Sequence, residues 1–157
     1  MAGHTAPAVF AKLNCEVIPM YFELDGTFPN HEANPIDPKN LKDLQKAVKK
    51  HKADIGLAFD GDADRCLAVD ANGTLIDGDH IMGILALAMS KAGTLAHNTL
   101  VATVMSNIGL KIALDQAGVS MVETAVGDRY VLEHMRAGGF NLGGEQSGHV
   151  VMSDFST

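Results

Sequence analysis

Tryptophan is absent from this 157-residue chain, and aromatic side chains make up only 5% of it. Its core must therefore be aliphatic, because the large rings that dominate many interiors are missing. Cysteine is nearly absent too: Cys15 and Cys66 each fall within a segment predicted to be a strand. Two isolated cysteines read as reduced, buried thiols in a cytoplasmic protein rather than a disulfide framework. No apolar run reaches the roughly 18 residues of a membrane-spanning helix. The opening MAGHTAPAVFAKLN lacks the basic start and long apolar core of a secretory signal. Basic residues are few, with 12 Lys and Arg against 19 Asp and Glu and a formal charge of -7. That balance excludes a nucleic-acid surface, which needs clustered cations to displace counterions. Six of those twelve cations lie between Lys39 and Lys52 and read as a solvated helix face. Lys49-Lys50-His51-Lys52 at its end would complement the helix dipole.

What is present, 46% hydrophobic and 20% charged residues, is the composition of a soluble globular protein with one ordinary domain or two small ones. Residues 5–13 carry an early Pro and helical apolar spacing, and 15–22 (CEVIPMYF) are β-rich. Residues 25–38 are a turn-rich loop, and Asp37-Pro38 opens a helix to about His51 with Leu41, Leu44 and Val48 on one face. ADIGLAFD (53–60) has the apolar run of a strand buried on both faces, and 66–77 form a hairpin turning at Ala71-Asn72-Gly73. Asp77-Gly78-Asp79 reads as a turn and N-cap before an apolar helix, not as a second metal site.

From residue 99 the elements alternate: strand 99–105, helix 107–117, strand 119–125, helix 127–137, then strands 140–143 and 148–153. That alternation predicts an α/β fold with largely parallel pairing. The same order of elements, less its first strand, occurs at 5–70.

Between two apolar runs, FDGDADR crowds Asp60, Asp62 and Asp64 together. At an effective dielectric near 20, two carboxylates about 5 Å apart repel by roughly 3 kcal/mol. In an extended strand, Asp60 and Asp64 would stand about 13 Å apart, but Gly61 and Ala63 are small enough to let the backbone curl. Oxygen-only ligands suit a hard cation, and Mg²⁺ is the usual choice when phosphate completes its shell. An EF-hand is excluded, because Arg65 stands where its loop needs Gly and Ala71 where it needs Glu. Arg65 either pairs with these acids or reaches a phosphate held by the metal, and the phosphate role is preferred. The other chemical segment is GGEQSGH (143–149), where Glu145 and Ser147 on a glycine-flanked loop can bracket vicinal sugar hydroxyls or form a plain polar turn.

FDGDADR resembles the metal-binding loop of the α-D-phosphohexomutase superfamily, and GGEQSGHV is similar to its sugar-recognition loop. ATVMSNIGL and VGDRYVLEHM resemble phosphoglucosamine mutases, whereas AGHTAPAVF and LDGTFPNHEANPIDPKNLKDLQKAV look more like phosphomannomutase/phosphoglucomutase. The resemblance implies two consecutive three-layer α/β/α domains with mixed, mostly parallel sheets, both truncated: the second domain of the superfamily over 1–77 and the third over 78–157. It implies Mg²⁺ on Asp60, Asp62 and Asp64, and Glu145 and Ser147 on the 3- and 4-hydroxyls of a phosphosugar. His149 either orients that loop or packs at the strand start, and Asp128 and Arg129 are secondary substrate contacts. The implied reaction interconverts glucosamine 6-phosphate and glucosamine 1-phosphate through a phosphoserine and a bisphosphorylated sugar. The superfamily's catalytic serine loop and fourth-domain phosphate loop have no counterpart here. The chain alone is therefore expected to be inactive, marginally stable and dependent on the missing domains. The alternatives are a phosphomannomutase/phosphoglucomutase fragment and a non-catalytic module that binds Mg²⁺ or sugar phosphate.

Overall fold

The computed structural model describes residues 1–155, and the chain parts into two compact units, Met1–Leu75 and Ile76–Thr157. In the first unit, helix α1 (Ala2–Phe10) is followed by a long irregular stretch. A short 3₁₀ turn, Pro38–Leu41, then runs into α2 (Lys42–His51). Asp37 caps that turn by accepting from the Lys39 N–H, with Pro38 at the first position as expected. Strands β1 (Ile55–Phe59), β2 (Cys66–Asp70) and β3 (Leu75–Ile76) form one sheet in that order, and β1 pairs antiparallel with β2. The β2–β3 turn is an Asx turn: Asp70 Oδ1 accepts from the Asn72 and Thr74 N–H groups, and Gly73 supplies the positive φ.

Helix α2 lies on this sheet. Leu41 and Val48 are buried and Leu44 half-buried, and Gly56 in β1 makes room for them. A Cβ at Gly56 would fall 2.7 Å from a Val48 methyl and 2.9 Å from one of Leu44.

Two expectations fail in this unit. Residues 15–22 form no strand. They are irregular and pair with no strand: Pro19 has no N–H to donate and Tyr21 turns the backbone with φ 54°. Cys15 is consequently exposed, not buried. Nor is β1 covered on both faces: it is the edge of its sheet, and Ile55 is 56% exposed while Gly56 is buried. The apolar run in β1 therefore does not mean burial on both sides.

The second unit follows the predicted alternation closely. Its elements are α3 (Gly78–Ala92), β4 (Thr99–Thr103), α4 (Ile108–Gln116), β5 (Ser120–Thr124), α5 (Asp128–Gly138), β6 (Leu142–Gly144) and β7 (Val150–Met152). The sheet order is β5-β4-β6-β7, with β4 parallel to both neighbours and β7 antiparallel to β6. Every residue of β4 is buried, and its side chains alternate between two cores. Leu100 and Ala102 join Met82 and Ala86 of α3 and Leu110 and Leu114 of α4 on one face. Val101 joins Val131 and Met135 of α5 on the other. Three layers result, helices on both faces of a mostly parallel sheet. The buried residues of both cores are aliphatic apart from methionine, and one aromatic, Phe140, packs half-buried against the second. No helix among the described residues is long and apolar enough to cross a membrane.

The two thiols should differ in reactivity. Burial pushes the Cys66 thiol up to about 11, against a smaller opposing hydrogen bond to Ala58. At pH 8 it is then about one part in a thousand thiolate, the form that reacts. Titration with an aromatic disulfide reagent at pH 8 should modify Cys15 promptly and Cys66 only after denaturant is added. Two thiols of equal rate would contradict the packing of β2.

Candidate functional site

The acidic loop links β1 to β2. Across its mouth, Phe59 pairs with Cys66, and the Asp60 N–H donates to the Arg65 carbonyl at 3.3 Å. Within it, one carboxylate oxygen from each of Asp60, Asp62 and Asp64 lies within 4.8 Å of the others. The turn is made by Ala63, which adopts a left-handed φ of 66°, a conformation that L-residues other than Gly take only at a cost. Gly61, the residue better suited to such strain, keeps a negative φ.

Asp60 is buried, while Asp62 and Asp64 are exposed. The Asp60 carboxylate accepts the Arg65 backbone N–H at 3.2 Å and its guanidinium Nε at 2.7 Å. Arg65 Nε also approaches Asp64 Oδ1 at 3.5 Å. Burial alone would raise the Asp60 carboxyl, but hydrogen bonding with Asp64 and Arg65 outweighs it and holds the group below the usual carboxylate range. These bonds are the ion-pair role of Arg65.

The donor set fits a hard cation. All three ligands are carboxylate oxygens, and a cation 2.0–2.6 Å from each can bridge oxygens up to about 4–5 Å apart. Asp60, Asp62 and Asp64 can therefore hold a metal ion, and they are the sole such group of His, Cys, Asp and Glu among the described residues.

In the second unit, residues 145–149 join β6 to β7. The Glu145 N–H donates to the His149 carbonyl at 2.9 Å, and the Gly148 N–H closes a turn on the Glu145 carbonyl at 3.0 Å. Glu145 Oε1 accepts the Gly127 N–H at 2.9 Å. Ser147 Oγ is buried and has no hydrogen-bond partner among the described residues, a condition it shares with Asp79 Oδ1, Thr103 Oγ1 and Ser106 Oγ. His149 is half-buried beside them. Asp128 begins α5 and accepts the Arg129 N–H. Arg129 reaches along its own helix to Glu133, 2.9 Å away, with a side chain 80% exposed. Arg129 is thus part of a surface ion pair, two residues along the chain from Gly127, which holds Glu145.

Two residues, one at this site and one at the start of α3, carry more than the sequence suggests. Gly127, with φ 129°, matters for its N–H rather than for opening a helix. Asp79 is more than part of a cap: it is 4% exposed and accepts the Asn107 N–H at 2.7 Å. An acid in the first turn of an otherwise apolar helix was the available signal for Asp79, and Gly127 offered none.

Two family models match the chain: "Phosphoglucomutase/phosphomannomutase, alpha/beta/alpha domain II" over residues 1–73 and "domain III" over 77–157. The chain belongs to the phosphoglucomutase/phosphomannomutase family. Among curated relatives, the phosphoglucosamine mutase of Rhodococcus opacus is 58% identical over 156 residues, covering 99% of this chain and 34% of the relative. That of Acidothermus cellulolyticus is 56% identical over 156 residues, again 99% of this chain and 33% of the relative. The chain thus spans about a third of the length of the curated relatives it matches. Among solved structures, a phosphoglucomutase/phosphomannomutase family protein from Burkholderia thailandensis superposes with a TM-score of 0.87 at 32% identity, over 98% of this chain and 33% of that one. The family match makes both halves phosphohexomutase α/β/α domains, the fold class expected from sequence.

Removing the Arg65 guanidinium leaves Asp60 buried beside two other acids without a cation. Arg65→Met should destabilise the chain by about 3 kcal/mol at pH 7, as breaking a buried pair does. The Asp60 carboxyl is depressed in the folded chain, so its pairing adds stability above the unfolded pKa of about 4. That contribution disappears as pH falls through the lower folded value. Denaturant melts of both chains from pH 7 to pH 3 should therefore converge in acid, and a deficit independent of pH would contradict the assignment.

Proposed function

We propose that the chain forms part of a phosphosugar mutase that interconverts glucosamine 6-phosphate and glucosamine 1-phosphate. The carrying observation is the convergence of three carboxylate oxygens within 4.8 Å in a chain 58% identical to a phosphoglucosamine mutase over 156 residues. In this reading Asp60, Asp62 and Asp64 hold Mg²⁺. When bound, the ion supplies positive charge that stabilises a phosphoryl group in transfer. Arg65 orients Asp60 through Nε and turns the rest of its guanidinium toward the phosphate, which a planar fork matches well.

Glu145 and Ser147 contact the 3- and 4-hydroxyls of the sugar. The Ser147 hydroxyl, buried and unpartnered, is available to donate to or accept from a ring hydroxyl. The Gly127 N–H fixes one oxygen of Glu145 and leaves the other for the substrate. His149 orients the loop. Asp128 and Arg129 serve only as outer contacts, since Arg129 already pairs with Glu133. The phosphoserine and the phosphate-binding loop would come from the two thirds of the relatives that this chain does not match, so the chain alone turns nothing over.

A second reading, phosphomannomutase/phosphoglucomutase, is favoured by the name of the Burkholderia structural neighbour. A graft separates the two. Residues 1–155 would replace the matching third of the Rhodococcus opacus enzyme, and turnover would be measured on glucosamine, glucose and mannose phosphates. The expected result is activity on glucosamine 6-phosphate, reduced at least about 100-fold by Asp62→Asn. A preference for mannose or glucose phosphate would favour the second reading, and full activity in the Asp62→Asn graft would remove the metal role.

A further inference from the structure

We infer that Gly78, the first residue of α3, is a positioning residue that sets where Glu145 and Ser147 stand; the inference rests on reading residues 143–149 as the sugar-contacting loop. The Gly78 N–H donates to the Gln146 carbonyl at 3.0 Å. A Cβ built on Gly78 would collide with the Glu145 carbonyl oxygen and lie 2.6 Å from the Gln146 oxygen and 2.7 Å from the Gly148 nitrogen. All three are backbone atoms, so no side-chain rotation relieves the crowding. Either the helix end or the loop must move.

The helix end is pinned on both sides of Gly78. Asp77 Oδ1 caps it by accepting the His80 N–H at 3.0 Å. Asp79, buried, accepts the Asn107 N–H at 2.7 Å and ties α3 to the start of α4. The loop is the partner with less packing behind it: a short turn closed by the Gly148 N–H on the Glu145 carbonyl and by the Glu145 N–H on the His149 carbonyl, with Gly148 at φ 96°. A methyl at 78 therefore displaces the loop. The Gln146 carbonyl is held by the Gly78 N–H and the Glu145 carboxylate by the Gly127 N–H, so displacement changes the aim of the one Glu145 oxygen left for a sugar hydroxyl.

Helix propensity alone predicts the opposite sign. Replacing a helical Gly by Ala is ordinarily favourable, because it removes unfolded-state freedom and adds a good helix former. Gly83 in the same helix is the matched control: a Cβ there meets only a Leu110 methyl at 3.2 Å, the end of a flexible side chain.

The test is amide hydrogen exchange by NMR on this chain, on Gly78→Ala and on Gly83→Ala, with glucosamine 1-phosphate as the probe. In Gly78→Ala, the Gly127, Glu145 and Gly148 amides should exchange at least about tenfold faster, with no change in the β4–β5 ladder at Val101 and Val122. The sugar-phosphate Kd should rise by about tenfold or more. Gly83→Ala should change neither. In the unaltered chain, bound glucosamine 1-phosphate should slow exchange of the Gly78 N–H together with that of Gly148, a readout that needs no variant to fold. Unchanged exchange at 145 and 148 in Gly78→Ala, or a Gly78 amide indifferent to bound sugar phosphate, would overturn the positioning role. An unaltered chain whose loop resonances ignore glucosamine 1-phosphate would overturn the sugar-contacting role of residues 143–149. The positioning role would fall with it, even if the variant loosens the loop.

Discussion

Three carboxylate oxygens held within 4.8 Å of one another repel, and the loop between β1 and β2 must carry that cost. It does so with two devices. The β1–β2 ladder fixes the loop ends through Phe59 and Cys66, and Arg65 stands as a counter-charge against the most buried of the three acids. Even so, Ala63 is bent into a left-handed conformation. Strain at such a place is tolerated only where the surroundings over-determine it, and it concentrates at sites that bind something. A cation would relieve the repulsion that the loop otherwise only contains.

The second unit solves a different problem, that of presenting a short hairpin rigidly. Its buried parallel strand β4 is a frame packed on both faces, and loop 145–149 is held at three points. The β6–β7 ladder holds its ends, Gly78 supports its backbone, and the Gly127 N–H holds the Glu145 carboxylate. Polar groups that must meet a ligand at defined positions are held by backbone donors on rigid elements, which is how a loop gains precision. Ser147 Oγ is buried within this arrangement without a hydrogen-bond partner among the described residues.

Much of this was legible in the sequence, for reasons that can be named. The second unit is legible nearly element by element, because parallel α/β units advertise themselves through alternating periods and caps such as Asp77. The acidic loop was legible because three Asp residues at alternate positions are chemically expensive. The failures lie where pairing, not propensity, decides. Residues 15–22 have β-rich composition but no neighbouring ladder, and β1 has an apolar run but an edge position. Gly78 and Gly127 were invisible as site residues, because what matters is a missing side chain or a backbone N–H, and neither leaves a mark in a single sequence.

The central claim is that the aspartate loop is already shaped to take a hard cation. It is tested most directly by isothermal titration of Mg²⁺ into the purified chain beside its Asp62→Asn variant. The account predicts weak 1:1 binding in the parent, since three carboxylates without a phosphate oxygen leave the shell incomplete, and its loss in the variant. Binding of equal strength in both chains, or none in a parent that melts cooperatively, would contradict it.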